Sequence, residues 1–276
     1  MQPPQTPAGR PESERIRLNK YLALNGIASR RHADRMITEG EVMVDGEIVT
    51  ELGLQIDPAR QRVEVDGVVL KPQGERLRYY LLNKPKGVVC TNDPREGRRR
   101  AIDLIADRKK GRIYTVGRLD EDTLGLVILT NDGEFAQRIA HPRYGVDKTY
   151  QAVVRGRVDE DTLRKLRGGV RLADFKSNFE RVKIVKRTEF QTTLLVTLAE
   201  GRNREVRRVF ARVGHPVRSL ARIRIGNLEE NGMPVGHWRP LTRAEVRGLV
   251  TLAEEGPARP RPRRQGSRRS SATRRP

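Results

Sequence analysis

The sequence predicts an α+β protein: a small N-terminal module of paired helices and hairpins, then a larger body with a mainly antiparallel sheet. Three observations predict it. Strand-like runs outnumber helix-like ones and do not alternate with them regularly, which argues against a parallel βαβ sheet. Two Val-x-Val runs, each closed by Asp-Gly, follow two short helix-like segments within the first 72 residues. A polar stretch from Lys71 to Arg78 then separates this module from the rest.

Residues 1–14 carry Pro3, Pro4, Pro7 and Pro11 and no apolar run, so they read as a disordered leader rather than a secretory signal. The module spans 15–72. Leu18, Leu22 and Ile27 follow roughly helical spacing, and Gly26 marks a break. Ser29 stands as N-cap of a second helix through Ala33, Met36 and Ile37 that ends at Gly40. Val42 and Val44 lead into the Asp45-Gly46 turn, Val63 and Val65 into Asp66-Gly67. Arg17 and Lys20 decorate the first helix, Arg30, Arg31 and Arg35 the second. On spacing alone these cations serve an RNA surface or a solvated face equally well.

The body spans 79–255. Strands are expected at Tyr79–Leu82, Leu126–Thr130, Tyr150–Val154, Thr192–Leu198 and Val217–Ile225, and helices at Gly133–Ala140, Asp159–Arg167, Arg204–Val213 and Thr242–Leu252. The last helix opens on a Thr242/Glu245 capping box. Residues 256–276 interleave Pro, Ser and Arg and read as a disordered basic tail.

The formal charge is +21, of which the tail's eight arginines supply +8. The body is therefore basic in its own right, as polyanion binding requires, although a basic surface can also serve solubility alone. No run of about 18 apolar residues is present, so no membrane-spanning helix is expected. One cysteine, Cys90, excludes an internal disulfide and reads as a small core residue. The expected compartment is the cytoplasm. There is no Walker loop, His-Glu-x-x-His or Gly-x-Gly-x-x-Gly, and four scattered histidines have no metal-like spacing.

The segment Gly117-Arg118-Leu119-Asp120-Glu121-Asp122-Thr123-Leu124-Gly125 places three acids just before the apolar run Leu126–Leu129. Its residues alone admit three readings. It is a solvated acidic turn, a divalent-metal site on Asp120 and Asp122, or a single nucleophilic or basic carboxylate held among arginines. Lys84 and Lys86, in a Pro-containing turn after a strand, are phosphate contacts or a plain surface turn.

Two stretches carry a family resemblance. Arg17 to Gly46, with its SRR-x-A-x-x-x-I-x-x-G-x-V-x-V-D-G core, resembles the α-L RNA-binding motif. Gly-Arg-Leu-Asp-x-x-Thr-x-Gly-Leu at 117–126, followed by Thr130-Asn131-Asp132-Gly133-Glu134, is similar to the signature of RsuA/RluB-type ribosomal RNA pseudouridine synthases. Asn83 to Gly87, Lys148-Thr149-Tyr150, Glu200 to Arg208 and Leu220 to Gly226 resemble that family's other motifs, in order.

The resemblance implies a pseudouridine synthase fold, no cofactor and no metal. It makes Asp120 the catalytic carboxylate, Tyr150 the ring that stacks on the target base and Arg207 the cation paired with Asp120. Arg118, Leu119 and Leu220 become pocket residues, with Ile223 or Val217 as alternatives to Leu220. Lys84, Arg202 and Arg204 join Arg17, Lys20, Arg30, Arg31 and Arg35 as RNA contacts. The implied partner is ribosomal RNA, free or in pre-ribosomal particles, modified by a monomer. The Glu200–Arg208 run and the tail look more like the RluB branch, which implies the large subunit; RsuA-like small-subunit specificity is the alternative within the family. A non-catalytic RNA-binding assembly protein is the rival outside it, and would not need Asp120, Tyr150 and Arg207 together.

Overall fold

The computed structural model describes residues 15–71 and 76–256. The expected disordered leader and basic tail fall outside the described residues, as does part of the 71–78 linker. The described chain forms two compact units. One takes the chain up to Ala136 together with Gly232–Leu241; the other comprises Gln137–Asn231 and the chain from Thr242. No described helix is long and apolar enough to cross a membrane.

The first unit begins with β1 (Ile16–Arg17), α1 (Leu18–Leu24) and α2 (Arg30–Thr38), then β2 (Val42–Val44), β3 (Glu47–Ile48), β4 (Gln55–Ile56), β5 (Val63–Val65) and β6 (Val68–Val69). Local chemistry explains most of it. The Ser29 hydroxyl accepts the His32 N–H at 3.1 Å and caps α2. Asp45 and Gly46 have φ of 54° and 88°, Asp66 and Gly67 51° and 74°. Two successive positive φ values close the two hairpins with the twist that their strands need. The hairpins join as a four-stranded sheet, β3-β2-β5-β6. Leu18, Leu22, Met36, Ile37, Val42 and Val63 lead the core that the sheet and helices share. Helix α1 stops at Leu24, as the break read at Gly26 expects, and Ile27 lies 39% exposed beyond it.

The chain continues through β7 (Tyr79–Lys84), β8 (Tyr114–Val116), β9 (Leu124–Thr130), α3 (Gly133–Ala140), β10 (Lys148–Arg155), α4 (Glu160–Gly168), β11 (Val170–Arg171) and β12 (Lys176–Ser177). It closes with β13 (Arg181–Arg187), β14 (Gln191–Leu198), α5 (Glu205–Arg212), β15 (Val217–Ile225), β16 (Leu228–Glu229), β17 (Trp238–Pro240) and α6 (Arg243–Glu255). In the first unit β9 pairs with β7 and β8, and β17 with β7. In the second, β10 lies between β14 and β15, with β13 on β14 and β16 on β15. Within each unit these strand pairs are antiparallel, as expected. Leu126 to Leu129 are fully buried, which explains the unbroken apolar run of β9. Strand β13, Arg-Val-Lys-Ile-Val-Lys-Arg, is one that the sequence reading missed: its basic residues mask a strand pattern at the sheet edge.

Candidate active site

Asp120 sits in the turn between β8 and β9, half-buried, in a backbone fixed from several sides. The Thr123 N–H donates to the Asp120 carbonyl at 3.1 Å, and the Gly87 N–H to the Glu121 carbonyl at 3.0 Å. The Leu119 N–H donates to the Cys90 sulfur at 3.5 Å, with both residues buried. The Glu121 carboxylate pairs with Arg98 at 2.7 Å, and Arg98 also holds Glu96. Arg118 is exposed beside this turn. The turn thus presents Asp120 on a scaffold whose neighbours are already committed.

Lys84 corrects the sequence reading. It is fully buried at the end of β7 rather than offered to RNA. Its ammonium donates to the carbonyls of Pro85 at 2.9 Å and Val88 at 2.8 Å, and to that of Glu121 at 3.5 Å. Burial pushes the Lys84 ammonium below its ordinary value, while Cys90 and the acids Asp122, Glu121 and Asp120 pull it back. Lys84 is a strut under the Asp120 turn. Lys86, two residues on, is exposed.

In the second unit, Lys148, Tyr150 and Ala152 share one face of β10 by the alternation of a strand. Tyr150 is 8% exposed and stands opposite Arg222; Ala152 stands opposite Leu220. A bulge between Thr149 and Tyr150 sets this register, because Thr149 pairs with Arg224 and Ile223 is skipped. Arg222, itself buried, donates to the Tyr150 hydroxyl at 3.4 Å and lies 6.0 Å from the ring centre. Lys148 donates to the Ile139 carbonyl at 3.3 Å. Burial, reinforced by the Arg222 charge and opposed by Asp147, lowers the Lys148 ammonium to about 8. Arg222 was missed from sequence. Its signal is its place two residues after Leu220 on the same strand face.

Arg207 is half-buried on α5. Glu205, at the start of that helix, is buried and accepts the Ser177 hydroxyl at 2.6 Å and the Arg202 N–H at 3.0 Å. Arg204 is exposed with φ of 49°. Arg202 pairs with Glu200 at 2.9 Å and stacks 4.3 Å over Phe175.

Of the remaining cations, Arg17, Arg31 and Arg35 are exposed. Arg30 donates to Asn19 at 3.5 Å, and Lys20 pairs with Glu134 at 3.1 Å. Exposed pairs of this kind are worth at most about 1 kcal/mol and exchange readily for phosphate. Among the described residues no three His, Cys, Asp or Glu side chains gather as a metal site.

Asp120, Arg118, Leu119 and Lys84 therefore belong to the first unit, and Tyr150, Leu220, Arg207, Arg202 and Arg204 to the second.

Comparison with known proteins agrees with these motifs. Residues 78–212 match the family described as RNA pseudouridylate synthase, and residues 16–61 match the S4 domain. A relative from Bacillus subtilis, named ribosomal large subunit pseudouridine synthase B, is 43% identical over 87% of this chain and 98% of its own. The protein of the same name from Haemophilus influenzae is 39% identical, over 90% of this chain and 71% of its own. A solved pseudouridylate synthase superposes with a TM-score of 0.59 at 32% identity, covering 85% of this chain and all of that one.

Proposed function

The chain belongs to the RNA pseudouridylate synthase family, and on that premise we propose that it isomerises one uridine of large-subunit ribosomal RNA, using Asp120 and no cofactor. One observation carries the choice of RNA. The 43% identity to the Bacillus subtilis large-subunit enzyme runs through nearly the whole of that protein, RNA-docking module included.

The reaction breaks the bond from uracil N1 to ribose, turns the base, and rejoins it through C5. Atoms and electrons balance within the substrate, so no redox partner enters. A carboxylate suits the cleavage because it can serve as nucleophile or base at the sugar, as in glycosidases. Uracil leaves as a delocalised anion, so a second carboxylic acid is not needed. The locked backbone of the Asp120 turn supports this role, since a preorganised group does not reorganise during the reaction.

Arg207 is assigned to keep Asp120 ionised and oriented. Tyr150 is assigned to stack on the base and to help remove the C5 proton, with its hydroxyl steadied by Arg222. Leu119, Leu220 and Arg118 are assigned to the substrate pocket by the family resemblance. The uridine must leave its stack, at about a few kcal/mol. Contacts to the RNA backbone from the S4 module (15–72) and from Arg202 and Arg204 offset that cost. The catalytic domain is proposed to span 79–255, in a monomer acting in the cytoplasm on rRNA, free or in pre-ribosomal particles.

Mapping pseudouridines in rRNA from cells with and without the gene tests the proposal. One large-subunit position should lose its modification and regain it with the wild-type gene but not with Asp120→Asn. Turnover by Asp120→Asn without deamidation back to Asp would remove Asp120 from the chemistry. A lost position in the small subunit would redirect the substrate.

A further inference from the structure

A groove of about 850 Å³ in the second unit lies between the β11–β12 turn and α5, lined by Arg171, Leu172, Ala173, Arg208, Ala211 and Arg212. Arg208, Ala211 and Arg212 fall at i, i+3 and i+4, so they form one face of α5. Arg207 is turned away from that face by about 100°. Tyr150, Leu220 and Arg207 are not among the residues that line the groove.

Its walls are held in place. Buried Glu205 ties Ser177 of β12 to the start of α5 at 2.6 Å. Phe175, at the turn, is flanked by Arg202 at 4.3 Å and Arg208 at 5.4 Å. Arg208 is bound by both oxygens of Asp174. Arg171 and Arg212 are exposed at the rim, and neither has an acidic partner within ion-pair distance among the described residues. Between them the floor is aliphatic: Leu172, Ala173 and Ala211.

We propose that this groove binds the sugar-phosphate backbone of the RNA outside the reacting nucleotide, with Arg171 and Arg212 on phosphates and the aliphatic floor against ribose. The chemistry favours backbone over base edges. The lining cations match phosphates, and the floor lacks the side-chain amide and carboxylate groups that read bases. The proposal rests on the RNA reading of the function above and adds a further anchoring point to it.

The test uses the full-length chain and a labelled fragment of large-subunit rRNA, with affinity measured from about 50 to 300 mM salt. Arg171→Glu/Arg212→Glu should weaken binding about tenfold at 150 mM salt, and the salt slope should fall by about 1.4–1.8, the value for two phosphate contacts. Unrelated single-stranded RNA should lose affinity in parallel, because backbone contacts carry no sequence. Arg171→Lys/Arg212→Lys should restore most of the affinity. An unchanged slope in the folded Glu variant overturns the proposal. So does a Glu variant that keeps wild-type RNA affinity and slope but loses polyglutamate binding, since that assigns the groove to an acidic protein. Wild-type pseudouridine formation is followed in parallel. If none forms but the slope still falls, the isomerase reading fails and the groove stands; if it forms with an unchanged slope, the groove alone fails.

Discussion

Replacing Lys84 by Met separates a buried strut from an RNA ligand. Met has similar length and no donor, so the substitution keeps the volume and removes the ammonium. Two carbonyls, of Pro85 and Val88, lose bonds of 2.9 and 2.8 Å, and the Glu121 carbonyl loses a longer one of 3.5 Å. A buried acceptor left unmade costs about 1–3 kcal/mol, so two cost about 2–6. Relief of the ammonium's own burial returns part of this. The net loss should be about 3 kcal/mol, a fall in Tm of about 6–12 °C for a chain of this size. The Glu121 carbonyl keeps the Gly87 N–H but loses its second donor, which loosens the turn that carries Asp120, so turnover should drop while RNA affinity and its salt slope hold. Thermal melts and salt-dependent RNA binding of the variant check both halves. An unaltered Tm with a salt slope reduced by about 0.7–0.9 would mean that Lys84 contacts phosphate after all, and the strut account would be refuted.

Lys148, lowered to about 8 from an ordinary value of 10.5, supplies a pH signature. Between those values the unfolded chain binds more protons than the folded one. Stability should therefore rise relative to Lys148→Met as pH climbs from 8 toward 10.5, by at most about 1.4 kcal/mol per unit. Urea midpoints of both proteins across that window decide it, and parallel curves would exclude the shift. Glu205→Ala should cost about 2–4 kcal/mol, because it strands the Ser177 hydroxyl and the Arg202 N–H. Glu205→Gln, which retains one acceptor oxygen, should cost less; equal urea midpoints for wild type and the Ala variant would contradict the role given to Glu205 in holding the groove walls.

Much of the architecture was legible because it rests on short-range chemistry. Ser29 announces the start of α2 through a hydroxyl that reaches only three residues ahead. Asp-Gly pairs announce both hairpins because few residue pairs tolerate two positive φ values. The apolar run before Thr130 announces a central strand, and α3 falls at Gly133–Ala140 as its periodicity predicts. The acids of the Asp120 turn alone left three readings open; the Gly-Arg-Leu-Asp-x-x-Thr-x-Gly-Leu signature and the motif order from Asn83 to Gly226 carried the resemblance to the family.

The tertiary structure alone decided what lies under and beside those motifs. Lys84 looks like a surface cation in a proline turn; the fold buries its ammonium against the carbonyls of Pro85 and Val88 and, from 37 residues later in the chain, that of Glu121. Arg222 meets Tyr150 through a bulge that skips Ile223, and no local spacing announces a bulge. Caps, turns and periodicity are written within a few residues, so the sequence determines them. Whether a polar side chain is buried, and what it then holds, depends on groups distant in the chain, whose approach only the fold specifies.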